Sequence, residues 1–168
     1  MFRTGDKVVY GVHGVCSVVN VEEKTIDRKQ VSYLVLEPIH QSGTRYLVPA
    51  HNSAAMAKLH RVLTKEELEA LLASDVVHSD AWIADENRRK QIFRELLNGG
   101  DRTRLMQMIH TLYRHKTEQS ASGRKIHLCD ENFLRDAEKL LLSEISLVME
   151  LSPEEARKYI RSKLKEDA

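Results

Sequence analysis

A single tryptophan, Trp82, stands shortly before a run of cations, Arg88, Arg89 and Lys90. An indole beside basic side chains is the chemistry of a nucleic-acid contact. The ring stacks on an unpaired base or wedges against a base step in the minor groove, while the cations meet phosphates. The cations continue: ten lie between Arg88 and Lys125, including Arg94, Arg102, Arg104, Arg114, Lys116 and Arg124, against three acids, Glu95, Asp101 and Glu118. The segments on either side are acidic, so the balance of 26 Lys and Arg against 25 Asp and Glu hides a dipolar chain. Ten cations spread over two helices can neutralise several phosphates, giving salt-dependent affinity with little sequence preference. Each feature also has an ordinary reading. The cations can be a solvated helical face, and Trp82 with Ile83 can anchor a helix to a core. Spacing alone favours the anchor for the tryptophan.

Other reactive residues point nowhere in particular. His13 and Cys16 lie three apart on turn and strand positions with no orienting acid nearby, a spacing that more often reflects packing than a nucleophile pair. His110, His115 and His127 read as surface or capping residues rather than metal ligands, and Leu105, Met108 and Leu112 as core. No glycine-rich dinucleotide or phosphate loop, zinc-protease helix or nucleophile elbow is present, so neither an enzyme nor a cofactor is expected. The two cysteines, Cys16 and Cys129, are far apart and lack a CxxC partner, which fits a reducing cytoplasm. No apolar run reaches membrane-spanning length, and Met1 to Asp6 lacks the apolar core of a signal peptide.

The elements that must carry these residues fall into two kinds, an α+β organisation. From Phe2 to Pro49 the period is two, with strands expected at Lys7 to Tyr10, Val15 to Val21, Tyr33 to Leu36 and Tyr46 to Val48. The polar stretch Glu22 to Gln30 and Gln41-Ser42-Gly43 read as turns. Such short strands suggest a small SH3-like or Tudor-like barrel over residues 1–56. A linker with room for a helical turn follows at Ala50 to Arg61. Residues 62–168 then read as a bundle of about five helices. Thr64 with Glu67 caps the first, to about Ala73, and Ser79 or Asp80 starts the second, which ends at Asn98-Gly99-Gly100. Asp101 caps the third. The fourth runs from about Cys129 or Asp130 to Glu150, and Ser152-Pro153-Glu154-Glu155 opens the fifth.

Phe2-Arg3-Thr4-Gly5-Asp6-Lys7-Val8-Val9-Tyr10, His13-Gly14-Val15, Ser32 to Leu36 and Leu47-Val48-Pro49 resemble the opening domain of the CarD/CdnL transcription regulators, shared with the transcription-repair coupling factor. Trp82-Ile83, Arg88-Arg89 and Leu96 to Arg102 are similar to that family's DNA-facing helix and its Gly-Asp joint. The resemblance spans essentially the whole chain. It implies that the β-domain pairs a strand edge with the β subunit of RNA polymerase. It also implies that the tryptophan wedges into the minor groove upstream of the melted −10 region and stabilises the open complex, with no cofactor. The residues expected to meet DNA are Trp82, Arg88, Arg89, Lys90, Arg102 and Lys125; those expected to meet polymerase are Lys24, Arg45, Leu47 and Pro49. The protein is expected to act as a monomer in the cytoplasm, at the nucleoid through polymerase. Two departures stand out. Leu47 precedes Val48-Pro49 where some relatives carry a basic residue, leaving Arg45 to substitute for it, while Lys24 takes the role of a basic residue in the first hairpin. Trp82 lies about one turn before the place, held here by Glu86, where some relatives carry the tryptophan. On a helix it would still share that face. The rival expectation is a non-enzymatic interaction module whose barrel binds another partner and whose helices dimerise.

Overall fold

A computed structural model describes residues 1–165. The chain divides into two compact units, 1–62 and the helical part from Leu63 onward. The first is one antiparallel five-stranded sheet in the order β4-β3-β2-β1-β5. Its strands are β1 (Lys7–Tyr10), β2 (Val15–Ile26), β3 (Lys29–Pro38), β4 (Tyr46–Pro49) and β5 (Leu59–Arg61). Alternate residues of these strands, Val8, Cys16, Val18, Leu34, Leu36, Val48 and Leu59, form its core. This agrees with the Tudor-like expectation.

Two segments depart from the sequence reading. The stretch Glu22 to Gln30 is a two-stranded ribbon and not a loop, with only Asp27 and Arg28 at the turn, both left-handed at φ 49° and 64°. Such a pair defines the hairpin turn whose twist matches its strands. Polar residues fill the ribbon because both its faces are in water, so the alternation that marks a half-buried strand is absent. Likewise, the segment expected as a linker holds the helical turn allowed for it, α1 (Ser53–Met56), capped by Asn52, but then forms an unexpected strand, β5, which pairs Leu59 with Tyr10 and Arg61 with Val8. A three-residue strand carries too little pattern to be seen in a sequence.

The second unit holds the five expected helices: α2 (Lys65–Leu72), α3 (Glu86–Gly99), α4 (Arg102–Ala121), α5 (Leu128–Met149) and α6 (Pro153–Leu164). Both expected capping boxes form: Thr64 and Glu67 exchange bonds at 3.2 and 2.9 Å, and Ser152 and Glu155 at 3.2 and 2.8 Å. Gly100 ends α3 in the left-handed conformation at φ 72°. Leu105, Met108, Ile109 and Leu112 of α4 and Phe133, Ala137, Leu141 and Ile145 of α5 are core, as their spacing required. Phe93 meets Phe133 edge to face at 5.5 Å, a geometry worth about 1 kcal/mol beyond simple burial.

One boundary is corrected. The second bundle helix begins at Glu86 with Asp85 as its cap, well after the expected start at Ser79 or Asp80. Asp80 instead turns the chain by accepting the N–H of Trp82 at 3.1 Å. The carbonyls of Ile83 and Ala84 accept from an Arg89 nitrogen at 3.0 and 3.4 Å rather than from helical amides. Trp82 therefore lies on an extended strap, and its relation to a helix face at Glu86 no longer applies.

Candidate nucleic-acid and polymerase interfaces

The strap runs along α4. Gln107 donates to the Ser79 hydroxyl at 2.8 Å, the Thr111 hydroxyl accepts the N–H of Ala81 at 3.2 Å, and the His115 imidazole stacks on the Trp82 indole with centroids 3.6 Å apart. Gln107, Thr111 and His115 are four residues apart, so they form one stripe on the helix. The guanidinium carbon of Arg89 lies 4.5 Å from the centre of the indole ring. Trp82 is half-buried, packed against the core and partly covered by His115 and Arg89. It is thus both anchor and surface, and the two readings of its spacing were not exclusive.

Arg89 is corrected from a phosphate contact to a structural cation. Its side chain is 3% exposed, and Nε and Nη2 each donate at 2.9 Å to the two oxygens of Asp130, which is fully buried at the start of α5. Together with its bonds to Ile83 and Ala84, this ties the strap, α3 and α5 at one point. Arg102 is also engaged internally. It donates to both carboxylate oxygens of buried Glu144 at 2.5 and 2.7 Å, fastening the start of α4 to α5. Neither commitment is visible in a charge count, because the acidic partners lie 41 and 42 residues away.

The remaining cations differ in freedom. The Lys90 ammonium sits 2.7 Å from Glu86, whose hydrogen bond raises the lysine pKa and is itself matched by a lowered Glu86. Lys116 pairs with Glu131 at 3.4 Å and Arg114 with Glu118 at 3.3 Å. Arg88, in the first turn of α3, and Lys125, in the loop before α5, are exposed and have no ion pair among the described residues. Both helices reach the Trp82 region, α3 through Arg89 and α5 through Asp130. Arg88 is the sequence neighbour of Arg89, and Lys125 lies five residues before Asp130.

In the β-unit, Ala50 donates to the Ser32 carbonyl at 2.9 Å, so by alternation Val48 and Tyr46 also turn their backbone groups to β3. Leu47 then points its N–H and carbonyl away from the sheet, and its side chain is 46% exposed. The Pro49 carbonyl accepts from Asn52. Arg45 is exposed just before β4, 3.6 Å from Glu37, and Lys24 lies on the ribbon 3.8 Å from Glu22 and above Tyr33. His13 packs on Tyr46 with centroids 4.0 Å apart, and burial pushes the Cys16 thiol up to about 11, so both serve packing rather than nucleophilic chemistry.

A family model described as the CarD-like/TRCF RID domain matches residues 2–62, and one described as the CarD C-terminal domain matches residues 66–161. The chain belongs to the CarD family. This CarD-family protein is accordingly a transcription regulator, and the two matches fall on its two compact units. None of its described helices is long and apolar enough to cross a membrane. His115 and Asp130, which hold the strap, were read in the sequence only as a surface or capping residue and as a possible helix start. The only signal available was the four-residue spacing of Gln107, Thr111 and His115, and that pattern names no partner.

Proposed function

We propose that this protein binds the β subunit of bacterial RNA polymerase through the open edge of β4 and stabilises the promoter open complex by presenting Trp82 to DNA at the upstream edge of the bubble. The observation that carries this reading is the strap. An indole held by Arg89 and His115 yet only partly buried has been oriented rather than merely buried. An ordered contact group loses little entropy on binding, which is how a rigid wedge gains strength. Arg88 and Lys125, with Lys90 in a looser role, supply phosphate contacts, while Arg89 and Arg102 act from inside the fold. In the β-unit, Leu47 offers a backbone donor and acceptor to a partner strand, with Arg45, Lys24 and Pro49 as further contacts.

Immobilised protein should retain purified polymerase through its β subunit. Leu47→Pro deletes the outward N–H while sparing the donors of Val48 and Ala50 that bond β3, a substitution that sheet edges tolerate. It is expected to weaken capture about three- to tenfold. Wild-type protein that fails to retain the β subunit refutes the reading. For the DNA half, Arg88→Ala with Lys125→Ala should lower the slope of log affinity for promoter complexes against log salt by about two, one for each lost phosphate contact. An unmoved slope removes these two residues from the interface.

A further inference from the structure

We infer that His115 is a positioning residue for Trp82: its imidazole sets the angle at which the indole is offered to DNA, and so sets how far the protein prolongs the open complex. The inference rests on the functional reading above and assigns a role to a residue that acts through the indole. Of the three α4 side chains along the strap, Gln107 and Thr111 bond Ser79 and the backbone of Ala81, which fixes the path of the chain but not the ring. His115 is the one that meets the ring, with planes 17° apart. Arg89 also covers the indole, but its place is fixed by Asp130 and the Ile83 and Ala84 carbonyls whatever the indole does. The rotation of Trp82 about its own side-chain bonds is limited by the core it packs on, by the fixed Arg89 guanidinium and by the stacked imidazole, of which the imidazole is the solvent-facing, replaceable part. Being only partly buried, His115 can be changed without stranding a buried charge.

The stack is made by the neutral ring. Burial lowers the His115 pKa below 6.5; Arg89 and His127 lower it further, and Asp130 and Glu118 oppose them. Since the stacked arrangement binds protons less readily than a free imidazole, it is fully favoured above pH 6.5 and loses ground as the pH falls toward the lowered value. Phenylalanine at this position keeps a ring against the indole and removes the proton.

The test uses the full chain with polymerase and promoter DNA, comparing wild type, His115→Ala, His115→Phe and Trp82→Ala. His115→Ala is expected to cut the gain in open-complex lifetime by about two- to tenfold, the worth of one aromatic pair, while His115→Phe keeps it. Both variants should bind polymerase as the wild type does, and His115→Ala should add nothing in a Trp82→Ala background. Emission from the sole tryptophan should change with pH below 6.5 in the wild type and not in His115→Phe. A full lifetime gain in His115→Ala overturns the inference, as does a His115→Ala effect that persists without Trp82. A wild-type protein that leaves the lifetime unchanged overturns the functional reading and this inference together, an outcome distinct from either of those.

Discussion

Asp130→Ala lowers the unfolding free energy of the helical unit by about 3–5 kcal/mol, the cost of leaving one member of a buried ion pair without its partner. Arg89 cannot escape to water, because its side chain is 3% exposed and its remaining bonds reach only the Ile83 and Ala84 carbonyls. Denaturant unfolding followed by helical circular dichroism reads the loss. A change below about 1 kcal/mol would mean that the guanidinium is hydrated after all. Replacing both partners with apolar residues, as in Arg89→Met with Asp130→Leu, should recover much of the stability, since a buried pair is often no better than well-packed hydrocarbon. It should not recover function. The strap would lose the donor on its two carbonyls, and the indole would lose the guanidinium over its ring. Stability and open-complex lifetime should therefore separate in the double variant. If lifetime returned together with stability, Arg89 would matter only as filling.

Trp82→Ala should remove most of the open-complex stabilisation while leaving polymerase capture intact. The indole lies in the helical unit, whereas the proposed polymerase edge lies in the sheet of residues 1–62. A base or base step packed against an aromatic ring is worth about 1–3 kcal/mol, so the shortening should be about fivefold or more. The measurement is the decay of open complexes on a weak promoter after challenge with a competitor, at fixed salt. Trp82→Phe should fall between, since a smaller ring still meets His115 but reaches less far. An unchanged lifetime in Trp82→Ala, with polymerase still bound, would reject the wedge and move the weight of the DNA contact to Arg88 and Lys125. Loss of capture in the same variant would instead tie the two units together functionally.

What the sequence determined by itself were the features written in short-range order. Period-two alternation placed β1 and the buried parts of β2, β3 and β4. The boxes at Thr64 and Ser152, the Gly99-Gly100 stop and the apolar spacing of Leu105 to Leu112 and Phe133 to Ile145 placed the bundle, because capping and burial depend on neighbours within one or two turns. Local pattern failed where the deciding partner was distant. The ribbon from Glu22 to Gln30 has no buried face to impose alternation, and β5 exists only through its pairing with β1. The same limit governed the site. Trp82 and the cations were legible as residue types, but their separation into exposed Arg88 and Lys125 and internal Arg89 and Arg102 was not. Asp130 and Glu144, 41 and 42 residues along the chain, make that choice. A guanidinium beside a buried carboxylate is worth more to the fold than to a solvated phosphate, and only the tertiary structure brings the two within 3 Å. The start of α3 is set locally, by the Asp85 cap and by Arg89 taking the Ile83 and Ala84 carbonyls, whereas the posture of the indole also needs the distant stripe on α4 and Asp130, which only the tertiary structure supplies.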